Sequence, residues 1–474
     1  MILNRKQLNF PNELVKKFTL KSFKNKQNLS QDESLFDLSQ ASVSFNFNMY
    51  DGTLKKGIGI SEIKNAYSFP EGVFPLKLYY YKRFDAYYYK NDDRLVAYCS
   101  DNRLYQYKLY KDDASFTPIG NYVFYEEPKI IAYNYYNDDC LIISSVYDSY
   151  LLNDDVMTEI LGVPNVRSMC VHRERLFLVA ESDLGRTVWF SDDYDPTNWA
   201  VSINEGGYIE FVDELGDVLK IVEFLDYVYV IRRYGIVRLS AYGEQSEFTL
   251  QKLNVNCGRI YGETVTVCGD CIVFLSSSGL YKFNGIDTVR ILTSYDKFLK
   301  DVQNDNAEGA YFNGELLLKL NGNFNGDTKE FILVYNVEKD SSYLAKGIEF
   351  TNFCLSTGEE YKLYAISNDK IVEFNQSGKN LSNPLLKIWE SVKTDFTLPN
   401  VVKILSRVVI NTKEEIVLII NADKKRLIYK LRGDNAEIRP NVKAEEFSFE
   451  IISKSYNPSI SCPSFTVRYL KEKF

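Results

Sequence analysis

The chain is poor in the residues on which catalysis near neutral pH most often depends. Among its 474 residues there is one histidine, His172, with three tryptophans and four methionines. A single imidazole excludes a histidine-rich zinc centre and an H-E-x-x-H helix, and it argues against a Ser-His-Asp triad. The Gly-rich phosphate cradle G-x-x-x-x-G-K-[ST] is missing from the sequence. So is any apolar run of the roughly 18 residues needed to cross a bilayer as a helix. The start, Met-Ile-Leu-Asn-Arg-Lys, lacks the apolar core of a secretory signal, so synthesis in the cytoplasm is expected. Eight cysteines (Cys99, Cys140, Cys170, Cys257, Cys268, Cys271, Cys354, Cys462) follow no framework spacing, and reduced, buried thiols are the expectation.

What the chain does have is 36 tyrosines and 30 phenylalanines. These side chains suit a pleated, half-buried surface, so an all-β fold is favoured from the start. A net charge of −8 speaks against a protein that grips nucleic acid over its whole surface. It is compatible with a wall past which DNA slides. The charge is unevenly spread. Between Met1 and Ser30, seven basic residues (Arg5, Lys6, Lys16, Lys17, Lys21, Lys24, Lys26) face one acid, Glu13. Such a basic, sparsely apolar arm is expected to dock on a partner or stay unfolded.

Tight turns recur through the middle of the chain. Leu225-Asp226, Gly269-Asp270, Asn313-Gly314 and Gly358-Glu359 each separate two apolar strands, at spacings of 44, 44 and 45 residues. Upstream the figure continues at Asp92-Asp93, Asp138-Asp139 and Arg173-Glu174, which makes seven hairpin units between Pro75 and Phe374. A four-stranded antiparallel sheet uses about 40–45 residues and cannot bury both faces alone, so such sheets stack radially. The reading is therefore an all-β chain built on a β-propeller, seven blades favoured and six possible. After Ser377-Gly378 the strands lengthen (401–410, 415–420, 426–431, 446–452, 464–469), as in a β-sandwich-like domain. The expected organisation is an arm with a ring-closing strand over 1–60, the propeller over 61–380 and the C-terminal domain over 381–474. Helix is expected only in short pieces, at Asp296–Gln303 and Met157–Leu161.

The candidate chemical motifs are weak. Cys170 and His172 alternate on one strand and could pair as nucleophile and base, but no orienting partner is implied, and a turn histidine is the favoured reading. Cys268-Gly-Asp-Cys271 has metal-like spacing without a second pair, and a two-residue hairpin explains it better. Glu181-Ser-Asp-Leu-Gly-Arg-Thr-Val-Trp189 narrowly misses the Asp-box of sialidase propellers. Asp154-Asp155 and Asp192-Asp193 read as turn residues rather than a glycosidase pair. No catalytic, cofactor or metal residue is expected, and no cofactor; the chain reads as a non-enzyme.

One stretch is more specific. Thr187-Val-Trp-Phe-Ser-Asp-Asp-Tyr-Asp-Pro-Thr-Asn-Trp199, followed by Gly206-Gly-Tyr-Ile209 and Tyr227-Val-Tyr-Val-Ile-Arg232, resembles bacteriophage β-propeller virion proteins. These are the packaged-DNA stabilisation, tail-hub or nozzle proteins of short-tailed phages. Asn48-Met-Tyr-Asp-Gly-Thr-Leu54 is similar to their opening segment, without its usual proline, and Trp389-Glu-Ser-Val-Lys-Thr-Asp-Phe396 to their link into a C-terminal β domain. The resemblance implies a virion protein of the connector or tail, in a ring of six copies that lines or closes the DNA exit. It would contact connector, portal-adaptor or tail neighbours and let double-stranded DNA pass without sequence recognition. The alternative is a receptor- or glycan-binding propeller at the tail tip. Locally, Asp192, Asp195, Pro196, Thr197, Asn198 and Trp199 read as a structural loop anchor.

Overall fold

Two burial patterns dominate the strands, and they give the architecture. Second strands such as Arg94–Cys99 and Arg175–Ala180 are buried at every position, whereas outer strands such as Thr249–Leu253 and Val156–Glu159 are mostly exposed. A strand covered on both faces reads as a continuous apolar run, and a rim strand does not. The computed structural model describes residues 13–23, 40–63, 69–109, 115–181, 185–202, 206–253, 255–358 and 360–470. It divides into two compact units: 60–338 with 347–375, and 1–59 with 339–346 and 376–474. The sequence reading places its boundaries at 60/61 and 380/381. The inclusion of 339–346 in the other unit was not foreseen.

The first unit is a β-propeller. Five four-stranded antiparallel sheets follow one another over 75–118, 129–159, 166–210, 218–253 and 266–291. A sixth combines Thr351–Thr357, Tyr361–Ser367 and Lys370–Asn375 with Gly59–Glu62 from far upstream. There Asn375 donates to Ser61 Oγ at 2.8 Å and Lys370 pairs with Glu62. Six four-stranded blades is the lower of the two numbers the sequence allowed. The remaining unit of the period, around Asn313-Gly314, contributes three antiparallel strands of this unit (Glu308–Phe312, Glu315–Phe324, Asp327–Asn336) to a larger sheet.

Neighbouring blades share apolar clusters. Tyr81, Val96 and Leu104 of the first meet Leu141 and Leu152 of the second, and Tyr133 and Cys140 meet Leu176 and Trp199 of the third. The ring closes where Leu78, Leu95 and Tyr105 pack on Cys354, Tyr364 and Ile366. Leu78 N donates to Asn352 Oδ1 across that seam at 2.8 Å. Each seam buries apolar surface that neither blade could cover alone, at roughly 25 cal/mol per Å². The best helical expectation shrinks to one turn, Asp296–Leu299, and 157–161 is no helix: Val156–Glu159 is the rim strand of the second blade.

In the second unit the strands expected at 401–410 and 415–420 are one, Lys403–Ala422, paired along most of its length with Lys425–Ile438. Register shifts around Thr412 bend it without breaking the ladder, so residues 411–414, left between the two expected strands, are strand as well. Its first half pairs with Ser464–Leu470 and its second with Phe447–Ser453. Between them Phe449 and Phe465 lie 4.3 Å apart, with Phe396 beside both. Glu13–Thr19 adds a strand to Ser464–Leu470, and Phe23 packs edge-on against Trp389. This corrects the expectation of a free arm. Lys16 and Lys17 are exposed residues of that strand, Lys16 lying over the Tyr469 ring, and Lys21 is exposed just after it. Arg5, Lys6, Lys24 and Lys26 lie outside the described residues.

Candidate functional site

In every blade the turn from first to second strand lies at the same end of the ring, because the blades repeat one antiparallel path. These turns carry positive φ at Tyr136 and Asn137, Arg173 and Glu174, Leu225 and Asp226, and Asn313 and Gly314. Two-residue hairpins demand that geometry, which Asn, Asp and Gly adopt readily and Arg or Leu do not. The turns are tied blade to blade. Tyr81 donates its hydroxyl to Asp139 O at 2.7 Å, Phe84 N donates to Asp139 Oδ2, and the Tyr133 hydroxyl donates to Glu174 O. Arg173 grips the Asp226 carboxylate through Nε and Nη2, while its guanidinium lies over the Tyr242 ring.

Exposed aromatic surface gathers at this end. A small hairpin inserted in the first blade's turn lifts Tyr87 and Tyr89 to 87% and 85% exposure, with Tyr88 also exposed. Tyr136 on the next turn and Tyr194 in the third blade are exposed as well. Beneath the first of these turns runs a charge network. Arg94, 0% exposed, donates to Gln106 at 2.7 Å and Asp155 at 2.9 Å and pairs with Asp92 and Asp154. It joins the first blade to the second.

The cysteines and the histidine that the sequence offered for chemistry are buried. The Cys170 thiol is pushed well up by burial, and His172 is held below its ordinary value by burial, opposed by Glu223 and Asp226. Both share the buried face of their strand, as expected, but no thiolate–imidazolium pair is favoured there. His172 is the last residue of that strand and buried, rather than a residue of the turn. Cys268 and Cys271 flank a tight turn closed by Cys268 N donating to Cys271 O at 2.7 Å, and burial raises both thiols. The near Asp-box runs through 182–184, outside the described residues.

The loop singled out by sequence is rigid and internally satisfied. Asp195 Oδ1 accepts from Thr197 N at 2.9 Å and from Thr197 Oγ1 at 2.6 Å. Asp192 N donates to Asn198 O, Asn198 Nδ2 donates to Asp192 Oδ2, and Trp199 Nε1 donates to Pro196 O at 2.9 Å. Trp199 then plugs the seam between the second and third blades. Gly207 follows because a Cβ there would stand 2.6 Å from the Phe190 ring. Sequence reasoning missed the Arg94 network and the grouping of His172 with Glu223 and Asp226. Superposing the repeats on their turns would have placed Arg173 beside Asp226.

No protein-family model matches the chain, and no curated protein matches it. Among solved structures it is similar to the extracellular domain of the one-component system BT4673 of B. thetaiotaomicron, at 13% identity over 66% of this chain and 40% of that one, with a TM-score of 0.39. It is similar to the CNH domain of AfRom2, at 11% identity over 67% and 98% of the two chains (TM-score 0.42). A further BT4673 structure, described as a hybrid two-component system, is 11% identical over 88% and 61% (TM-score 0.43). The chain thus spans 40% of the first of these and 61% of the last. Among the described residues no helix is long and apolar enough to cross a membrane.

Proposed function

We propose that this chain is a non-catalytic structural protein of a bacteriophage particle, a connector or tail propeller that packs beside copies of itself around the DNA exit. One observation carries the non-catalytic part: the lone imidazole and its neighbouring thiol are buried where desolvation opposes charging either, while the exposed aromatic area sits on turns. Exposed aromatic rings serve docking and assembly, since they bury large area at low entropic cost. The resemblance around Asp195-Pro-Thr-Asn-Trp199 supplies the phage setting, with six copies in the ring and connector, portal-adaptor or tail proteins as neighbours. A net charge of −8 lets DNA pass during ejection without counterion-release binding.

A second reading, a glycan- or receptor-binding propeller at the tail tip, draws on Tyr87, Tyr88 and Tyr89, whose open rings can stack on sugar faces. A glycan array and a host-cell binding assay with the purified chain separate the two. A connector protein binds neither; a tail-tip protein binds one, and Tyr87→Ala with Tyr89→Ala removes that binding.

A further inference from the structure

His172 ends the strand Val166–His172 at 3% exposure, and its Nε2 is buried with no hydrogen-bond partner among the described residues. The neighbouring blade brings two carboxylates to it, Glu223 from the end of Val218–Phe224 and Asp226 from the turn that follows. One ligand atom of each lies within 4.8 Å of the other two. Two acids converging beside a buried imidazole that makes no hydrogen bond through Nε2 repel one another. A cation shared by the imidazole and the two acids would relieve that repulsion.

We infer that His172, Glu223 and Asp226 form a binding site for one divalent transition ion of the zinc class. An imidazole nitrogen with two carboxylate oxygens suits zinc and its first-row neighbours, whereas magnesium and calcium prefer all-oxygen shells. Arg173 does not block the site. It occupies two of the roughly four lone-pair positions of Asp226, leaves the others free and fixes the carboxylate's orientation, as outer-shell partners of metal ligands do. Tyr242 steadies the same turn by donating to Asp226 O at 2.7 Å. With two carboxylates against one guanidinium, the cluster keeps a net negative charge for the cation. Three protein ligands leave a fourth position of a tetrahedral ion open to an outside donor. The ion would tie the third blade to the fourth at the tyrosine-bearing end.

The test is calorimetric titration of the chelator-treated full chain with zinc chloride, and separately with magnesium chloride and calcium chloride. One zinc per chain is expected, with neither of the other ions bound at the same concentrations. Glu223→Gln, a change at an exposed side chain, should weaken zinc binding at least about tenfold, and His172→Ala should do the same. X-ray absorption of the zinc-loaded chain should show nitrogen and oxygen neighbours only. The site is overturned by no saturable zinc uptake, by uptake unchanged in Glu223→Gln, by sulfur in the zinc shell, or by magnesium or calcium binding as well as zinc.

Discussion

Lys387 is fully buried, and its Nζ donates to the carbonyls of Leu385 and Ser455 at 3.1 Å and of Gly378 at 3.5 Å. Burial, with Lys56 nearby, lowers its pKa from 10.5 to about 8. The folded chain therefore releases this proton before the unfolded chain does. Between those two values the unfolded state holds more protons, so this group's contribution to stability rises with pH. From pH 7.5 to 9.5 the gain should be about 2 kcal/mol in the parent relative to Lys387→Met, read from urea midpoints at both pH values. Parallel curves for the two proteins would refute it. Arg94 is the opposite case, a buried cation kept charged by Asp92, Asp154 and Asp155. Removing it leaves those acids facing one another, so Arg94→Ala should cost about 3 kcal/mol in chemical denaturation. Arg94→Lys should recover little, because one ammonium cannot replace the forked donors.

At the scale of elements, the loop Asp192–Trp199 is closed by its own side chains and anchored by an indole in a seam between blades. Trp199→Ala should lower stability by about 3 kcal/mol by opening a cavity between the second and third blades. Asp195→Ala should cost about 1–2 kcal/mol through two lost turn hydrogen bonds. In a binding or assembly assay both should behave as the parent, because neither residue touches a partner in this account. This loop was legible because Asp-Pro and an aromatic announce a turn with an anchor. The hairpin turns were legible too, since a period near 44 residues survives any drift in side-chain identity. The bend in Lys403–Ala422 was not, because a bulge and a turn share the same charged, local sequence. Nor was the strand Glu13–Thr19, whose pairing with Ser464–Leu470 spans nearly the whole chain and whose exposed lysines look like those of an unfolded arm.

For the molecule as a whole, the sequence carried the fold class and left open how many units become full blades. For the sixth blade the fourth strand comes from Gly59–Glu62, hundreds of residues away. Grouping of side chains between blades was equally hidden, since His172 and Asp226 belong to different repeats and meet only through ring geometry. What the whole ring offers is an exposed aromatic end above buried, unreactive thiols, and assembly is the use proposed for it. Electron microscopy of the purified full chain, with antibody labelling of any phage particles released by the culture that produces it, tests that most directly. The account predicts closed rings of several copies in solution and label at the connector or tail. A chain that stays monomeric at every concentration and is missing from the particles would contradict it.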